Sequence, residues 1–213
     1  MNQSGGSIPT FFKRRYKKNM NYSKYEYALA MLETEVNVLI QEFSRIHGYM
    51  PVEHQKSRLK SEKSIIEKLN RKGKEYTEEN VLRYISDVVG LRLVVSFISD
   101  VYDIVSLLSR SVNLIIKEKK DYILEPKTTG YSSYHLKVLV PIYLDGYVEY
   151  IPAEIQVRTV AMDFWASLDH KIRYKFPDVI PEDVQEKMRD YAKDIQELDR
   201  KMYELNKVMN NHE

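Results

Sequence analysis

Apolar side chains recur at intervals of three and four residues between Asn21 and His47. This spacing places them along one side of an α-helix, so the segment is predicted to be helical and to bury one stripe. Gly48 follows directly and is a common residue just after a helix C-terminus. The predicted stripe consists of Tyr25, Leu29, Leu32, Val36, Leu39, Phe43 and Ile46.

The segment that follows is more polar and less regular. A basic run at 54–60 is interpreted as extended chain, and it carries several cations that suit a polyphosphate. Short helices are predicted at 61–72 and 78–85, and Gly73 ends the first of them.

The middle of the chain has the composition of a β-sheet. Residues 89–98 are rich in Val, Leu, Ile and Phe, which is typical of a buried strand. Asp145-Gly146 between two apolar runs is a strong hairpin signal. The predicted elements are strands at 89–98, 113–123, 131–144 and 147–157, with a helix from a cap at Ser99 to about 109 between the first two.

Helical spacing returns after the last strand, first at 159–174 and again beyond Pro181. In the second of these helices the apolar residues stand alternately four and three apart, which is the pattern of a helix–helix seam. The residues alone leave two partners open, the helix at 21–47 of the same chain or another subunit. The seam consists of Val184, Met188, Tyr191, Ile195, Leu198, Met202, Leu205 and Met209.

Together these elements predict one α+β domain at 21–213, with a mixed central β-sheet flanked by helices and with helical extensions at both ends. Residues 1–20 are predicted to form a flexible basic arm in front of it. The arm is interpreted either as a contact for RNA or as a solvated tail.

Composition narrows the class of protein. Hydrophobic residues make up 43% and charged residues 30% of the 213-residue chain, which is typical of a soluble globular domain. The net charge of +2 argues against a polycation for non-specific nucleic-acid binding. The absence of cysteine excludes disulfides and thiolate metal sites. No apolar run suits a membrane span or a signal peptide, so a cytoplasmic protein is expected.

Two carboxylates, Asp87 and Glu154, lie in or next to predicted strands, and an arginine follows each of them closely in the sequence. Asp87 lies at the start of the first buried strand, and Glu154 lies in the last strand. Because side chains alternate along a strand, Glu154, Gln156 and Arg158 point to the same face. With Arg92, they indicate either an exposed polar sheet face or a site for Mg²⁺ and phosphate.

The loop before the hairpin carries an aromatic ring. Gly130 permits a backbone that presents Tyr131 in an exposed pose, where the ring can stack on a purine, but this loop by itself favours a turn with a packed tyrosine. His135 is interpreted either as a phosphate ligand or as a buried structural histidine. The sequence has no Walker loop, dinucleotide fingerprint, zinc helix or nucleophile elbow. The residues therefore indicate a Mg²⁺-dependent enzyme of nucleotide phosphates.

Five motifs stand in a fixed order along the chain. They are Arg58-Leu-Lys60-Ser61, Asp87-x-x-Gly90-x-Arg92, Pro126-Lys-x-x-Gly-Tyr131-x-Ser-x-His135, Glu154-x-Gln-x-Arg158-Thr, and Trp165 to Lys175. In this order, over about 48–175, the chain resembles the synthetase domain of Rel/SpoT-type alarmone synthetases. Its length resembles that of the small alarmone synthetases, and further residues resemble their RelP subgroup.

The resemblance implies a GTP pyrophosphokinase of the stringent response, which moves pyrophosphate from ATP to the ribose 3′-hydroxyl of GDP or GTP and releases AMP. Mg²⁺ is the implied cofactor. The implied ATP-binding residues are Arg58, Lys60, Ser64 and Arg92. The implied acceptor-binding residues are Lys120, Lys127, Tyr131, His135, Gln156 and Asp163. The implied catalytic residues are Glu154, as general base, and Asp87, and both are implied metal ligands.

The resemblance also implies a homotetramer, with the helices at 21–47 and 182–209 between subunits. Ser132 stands where many relatives have Arg or Gln, which is expected to change the preference between GDP and GTP. His54 and Lys56 replace Phe and Thr of the alarmone-activated relatives, so activation by pppGpp is not expected. Two alternatives remain: a toxin-like relative that makes adenosine alarmones or modifies tRNA 3′ ends, and a catalytically silent RNA-binding module.

Overall fold

The computed structural model describes residues 21–176 and 179–210, so the basic arm at 1–20 lies outside the described residues. Helices and strands occupy most of the described chain. In order they are α1 (Tyr22–His47), β1 (Val52–Leu59), α2 (Glu62–Arg71), α3 (Glu78–Tyr84), β2 (Val89–Val95), α4 (Ile98–Ser109), β3 (Ile115–Asp121), β4 (Tyr134–Leu144), β5 (Tyr147–Thr159), α5 (Val160–Lys175) and α6 (Glu182–Asn210).

The five strands form one mixed sheet in the order β1-β2-β5-β4-β3. The pair β2 and β5 is parallel, and the other three pairs are antiparallel. The chain reaches β5 from β2 through α4, β3 and the hairpin at Asp145-Gly146. This mixed sheet with helices confirms the predicted α+β fold.

One face of the sheet forms the main core. Alternate residues of β2 and β5, including Leu91, Leu93 and Ile155, are at most 2% exposed. Helix α1 lies across this face and buries Tyr25 and Leu32 completely. Such apolar burial is the main stabilising contribution to a fold of this size. The opposite face is polar.

The predicted stripe of α1 is confirmed over most of its length. Tyr25, Leu32, Val36 and Phe43 are buried, whereas Ile46, in the last turn, is 63% exposed.

Strand β1 was not predicted as a strand. Its sequence is mostly charged and polar, because it is an edge strand with most side chains exposed, and so it lacks a hydrophobic alternation. It pairs antiparallel with β2 from Val52 opposite Val95 to Leu59 opposite Val89. The basic run at 54–60 is extended, as expected, and belongs to the sheet.

The predicted cap at Ser99 is wrong. Helix α4 begins at Ile98 with Phe97 in the N-cap position, and the carboxylate of Asp100 accepts a hydrogen bond from the Phe97 N–H at 3.1 Å. The acidic residue in the first turn thus satisfies the helix terminus instead of the serine hydroxyl. Strand β2 accordingly ends at Val95, three residues before the predicted end.

The C-terminal helix α6 packs against α5 and α4, while α1 packs on the sheet and α4. An intramolecular bundle of α1 with α6, one of the two open alternatives, is therefore not the arrangement. The seam of α6 divides into two parts. Val184, Met188 and Ile195 pack around Trp165. The exposed remainder consists of Tyr191, Leu198, Met202 and Leu205, and the side chain of Met209 lies outside the described residues.

Hydropathy adds one observation about the helices. Across the described ranges, no helix combines the length and the apolar character that crossing a membrane requires.

Candidate active site

Rows of polar side chains cross the sheet on the face opposite to the main core. Strand register places successive rows two residues apart, so their side chains share one face. One row is Lys56, Arg92, Gln156, His135 and Lys120, and the next is Arg58, Gly90, Glu154, Lys137 and Glu118. Residues far apart in sequence, including both predicted arginines and Glu154, thereby become neighbours.

A cavity of about 600 Å³ opens over these rows. This volume is within the usual range of small-molecule sites. Its wall includes both predicted catalytic carboxylates and much of the predicted binding set, namely Arg58, Asp87, Arg92, Tyr131, Glu154 and Gln156. The sheet face is therefore a concave site and not a flat exposed surface.

At one end of the cavity, Asp87 is held by two lysines. The Nζ of Lys60 lies 3.0 Å from one carboxylate oxygen, and the Nζ of Lys68 lies 2.8 Å from the other. Burial raises the pKa of Asp87, but both lysines lower it, and the net pKa lies below the usual range. Asp87 is therefore ionised at neutral pH. Lys68 was missed by sequence reasoning, although its place four residues after Ser64 on one helix face is a usable signal.

Arg58 extends over a glycine on the neighbouring strand. A Cβ at Gly90 would lie 3.5 Å from the Arg58 Cγ, which is ordinary van der Waals contact, so the arginine stem passes close to the glycine. Ser64 stands apart from this group. Its hydroxyl accepts a hydrogen bond from Ser61 at 2.9 Å in the first turn of α2.

Glu154 occupies the middle of the cavity wall. The Gln156 amide donates a hydrogen bond to its Oε1 at 2.8 Å, and the His135 Nδ1 lies 3.7 Å from the same oxygen. Burial raises the pKa of Glu154, but the contacts with His135 and Gln156 lower it, with the net pKa below its ordinary value. The result is a carboxylate that is ionised and available to accept a proton.

Tyr131 takes an inward pose, which is the packed alternative and not the exposed one that Gly130 was expected to permit. Gly130 has a φ of +82°, as that expectation requires. The ring is nevertheless half-buried against the Trp165 cluster, and its Oη lies 2.8 Å from the His135 Nε2. The Lys127 ammonium lies 4.8 Å from the ring centroid. Packing of the ring on this cluster explains the difference.

Asp163 joins two arginines. Its Oδ1 lies 3.2 Å from the Arg92 Nη1 and 3.3 Å from the Arg158 Nη1. Arg158 is only 1% exposed, and its Nη2 donates to the Gln156 Oε1 at 2.6 Å. The predicted common face of Glu154, Gln156 and Arg158 is therefore confirmed.

Other predicted residues lie at the border of this group. Lys120 is exposed at the strand end and contacts Glu118 at 3.0 Å, although the register places it next to His135. Ser132, the departure from the family pattern, is 6% exposed. Lys56, the other departure in the basic run, lines the cavity.

Helix α5 contributes cavity residues that sequence reasoning did not assign. His170, Lys171 and Arg173 line the wall. His170 and Arg173 continue the helical face of Asp163 at intervals of seven and three residues, and this spacing was the available signal. Lys171 adds positive charge to this side of the cavity, whereas Arg173 is paired with Asp169 at 3.0 Å.

The chemistry of this arrangement suits polyphosphates. Arginines and lysines surround two ionised carboxylates, and an aromatic ring stands at one end. Within residues 21–176 and 179–210, no three His, Asp or Glu side chains cluster as a closed metal site would require. Two carboxylates suit a cation that takes its other ligands from phosphate and water.

Comparison with known proteins gives consistent results. The family described as "Region found in RelA / SpoT proteins" matches residues 57–178, more than half of the chain. GTP pyrophosphokinase YwaC of Bacillus subtilis is 45% identical over 183 residues, which cover 86% of this chain and 87% of YwaC.

Solved structures of small alarmone synthetases match the fold. Small alarmone synthetase 2 from Bacillus subtilis has a TM-score of 0.78 at 43% identity, covering 86% of this chain and 95% of that one. Small alarmone synthetase 1 from the same organism, bound to its product pppGpp, has a TM-score of 0.80 at 28% identity, covering 94% and 98%. Its complex with AMPCPP gives a TM-score of 0.74 at 25% identity, covering 95% and 100%. The RelP subgroup stays a prediction, whereas the motifs, the fold and these matches agree that the chain belongs to the RelA/SpoT family.

Proposed function

We propose that this chain is a (p)ppGpp synthetase that transfers pyrophosphate from ATP to the 3′-hydroxyl of GDP or GTP, in the cytoplasm. The observation that carries the proposal is that Asp87, Glu154 and the two predicted ATP-binding arginines all line one cavity. In the reaction, the acceptor 3′-oxygen bonds to the β-phosphorus of ATP, and the bond from that phosphorus to the α,β-bridging oxygen breaks. AMP leaves, and the 3′-hydroxyl proton goes to Glu154.

ATP is assigned to the side of the cavity formed by β1 and β2. Arg58 and Arg92 come from adjacent strands and line one wall, so an adenine ring between them would stack on two guanidinium planes. Lys60 is assigned to the phosphates. Ser64 is assigned to them as well, since the N-terminus of α2 attracts an anion.

Mg²⁺ is assigned to Asp87 and Glu154. Both carboxylates line the same cavity, and the charge of Asp87 acts against the net lowering of the Glu154 pKa, so a cation held by both would relieve their repulsion. Mg²⁺ in phosphoryl-transfer sites is commonly held by one or two carboxylates together with substrate phosphates. When bound, it would supply neutralisation of the charge on the transferring phosphates.

Glu154 is assigned the role of general base. It is ionised, lies in the centre of the wall, and is oriented by the Gln156 amide at 2.8 Å. His135 and Gln156 are assigned to the acceptor ribose and phosphates, with Lys120 and Lys127 beyond them. A base within reach of the attacking hydroxyl typically contributes about 10²–10⁴-fold to the rate.

Guanine is assigned to Tyr131 and Asp163. Lys127 now lies over the Tyr131 ring, so guanine would take its place there, and the ammonium would move to the phosphates. Asp163 uses Oδ1 for Arg92 and Arg158, and a carboxylate here can accept from guanine N1–H and N2–H₂. Adenine has no donor at N1, and this selects the acceptor.

We also propose the homotetramer that the resemblance implies, and the exposed apolar residues of α6 support contacts between subunits. Tyr191, Leu198, Met202 and Leu205 of α6 are each at least 44% exposed, although they belong to the regular seam. Light scattering should give the mass of four chains, and Leu205→Asp should lower it. A monomeric wild-type protein would contradict this assignment.

The transfer is tested with γ-labelled ATP, Mg²⁺ and separate acceptors: GDP, GTP, a second ATP and deacylated tRNA. The γ label travels with the transferred pyrophosphate, so it marks the acceptor. Label on GDP or GTP with release of AMP is the expected result. Label on tRNA or on a second adenine nucleotide would contradict the proposal and favour the toxin-like alternative.

A further inference from the structure

Helix α6 packs directly on the loop that carries Tyr131. A Cβ at Gly130 would lie 2.3 Å from the Ala192 Cβ and 3.4 Å from the Trp165 Cζ2, so only a glycine fits between the loop and the helix. Gln196, one turn further along α6, directs its Nε2 at the Gly130 carbonyl oxygen at 3.4 Å. The loop is thus held from behind by one helix face.

The same face of α6 also holds the start of α5. Asp199 is 4% exposed, and its Oδ2 accepts a hydrogen bond from the Thr159 hydroxyl at 2.7 Å. Thr159 in turn caps α5, since its Oγ1 accepts from the Met162 N–H at 3.2 Å. Thr159 directly follows Arg158, and Asp163 lies in the first turn of the helix it caps.

These contacts belong to the two walls of the acceptor side. Ala192, Gln196 and Asp199 are four and three residues apart, so they line one stripe of α6. One end of the stripe meets the Tyr131 loop, and the other meets the strand-to-helix turn after Arg158. The ATP side is built from β1, α2 and β2, whereas α6 packs mainly on α5 and α4.

We propose that α6 positions the guanine-nucleotide acceptor, with Asp199 and Gln196 as positioning residues that fix the Tyr131 loop relative to Asp163. Neither side chain touches the nucleotide, and both act through Thr159 or Gly130. The inference rests on the assignment of guanine to Tyr131 in the proposed function. It deepens that function by placing control of acceptor affinity in the C-terminal helix.

The test measures binding and not turnover. Dissociation constants for GDP and for AMPCPP are determined by calorimetry on wild type, Asp199→Ala, Asp199→Asn, Gln196→Ala and the control Asp194→Ala. Asp194 is an exposed carboxylate on the same helix, so its replacement controls for general effects on α6. Because small displacements of a binding group have large effects, Asp199→Ala should weaken GDP binding about tenfold, while AMPCPP binding stays within about twofold.

The conservative variants separate positioning from general stability. Asp199→Asn keeps an oxygen that accepts from Thr159, so GDP affinity should return to within about threefold of wild type. Gln196→Ala removes one long hydrogen bond and should weaken GDP binding about twofold to threefold. This variant keeps the test valid even where Asp199→Ala does not fold.

Three outcomes would overturn the inference. They are an equal loss of GDP and AMPCPP affinity in Asp199→Ala and Gln196→Ala, no loss in either variant, or no binding of GDP by wild type. Wild type that binds GDP with the expected differences but transfers no label from ATP would contradict the proposed function and leave the positioning role supported.

Discussion

The two ends of the active-site cavity rest on different parts of the molecule. The end to which we assign ATP, the ATP end, is formed by β1 and β2, and the β2 residues Leu91 and Leu93 belong to the main core of sheet, α1 and α4. The end to which we assign the acceptor, the acceptor end, is formed by the Tyr131 loop and α5, which pack with α6 around Trp165, Met188 and Ala192. One end is therefore fixed by paired strands and the other by a small helix interface.

This difference determines which end of the cavity can change conformation more easily. Hydrogen-bonded strands over a large buried core open only with the whole fold, whereas helices over a small cluster open with a lower free energy. We expect the ATP site to be preformed and the acceptor site to depend on α6.

Glu154 lies at the boundary between the two ends, and replacing it should nearly abolish the reaction. Glu154→Gln keeps an oxygen that accepts from Gln156 but loses the proton-accepting carboxylate. Turnover should fall by roughly 10²–10⁴-fold, with GDP and AMPCPP affinities within about twofold. The control is Glu67→Gln, an exposed carboxylate on α2. Rapid-quench assays measure turnover, and retained activity would remove Glu154 from the role of base.

Cavities made in the two cores should have different consequences for the ratio of GDP to AMPCPP affinity. Leu93→Ala, in the fully buried main core, should lower the free energy of unfolding by about 2–5 kcal/mol and leave the ratio of GDP to AMPCPP affinity unchanged. Met188→Ala, at 8% exposure in the small cluster, should lower the free energy of unfolding by an amount at the low end of the same range, about 2 kcal/mol, and weaken GDP binding selectively. Urea unfolding and calorimetry measure both. Equal changes of the affinity ratio in both variants would contradict the proposal that the two ends depend on different cores.

Removing the Tyr131 ring should affect the acceptor more than ATP. Stacking of a base on an aromatic ring contributes about 1–3 kcal/mol, so Tyr131→Ala should raise the GDP KM roughly 5–100-fold. Tyr131→Phe is the matched control, because it keeps the ring and loses the 2.8 Å contact of its hydroxyl with His135. We expect a change of about threefold or less for Phe. Equal increases of both KM values in Tyr131→Ala would argue against stacking.

Sequence reasoning predicted the buried elements better than the exposed ones. Strand β2 and the hairpin at Asp145-Gly146 have strong apolar and turn signals, and both were found. Strand β1 was missed as a strand because an exposed edge strand carries no hydrophobic period. The Ser99 cap was wrong because Asp100 competes for the same helix terminus, and local sequence does not show which side chain reaches the N–H.

The site was predictable where residues share a strand. Alternation alone placed Glu154, Gln156 and Arg158 on one face, and in the structure hydrogen bonds join the three side chains. The contacts of Lys68 with Asp87 and of Asp199 with Thr159 join distant segments. The spacing of Lys68 after Ser64 indicates a shared helix face, but which partner that face meets depends on how helices pack, and spacing does not show that.

The smallest expected effect concerns Lys120, at the exposed edge of the acceptor end. Its side chain contacts Glu118 at 3.0 Å, and solvent screens an exposed charge, so its attraction for a phosphate is weak. Lys120→Gln should raise the GTP KM about twofold to fivefold at low salt, and by less for GDP, which has one phosphate fewer. Lys119→Gln is the control, since the neighbouring exposed lysine points to the other face of β3. The difference between the two variants should disappear at high salt, where the Debye length is about 3 Å at 1 M. A large effect that salt does not reduce would mean that Lys120 contacts the acceptor directly in a closed site, and the acceptor end would then be as preformed as the ATP end.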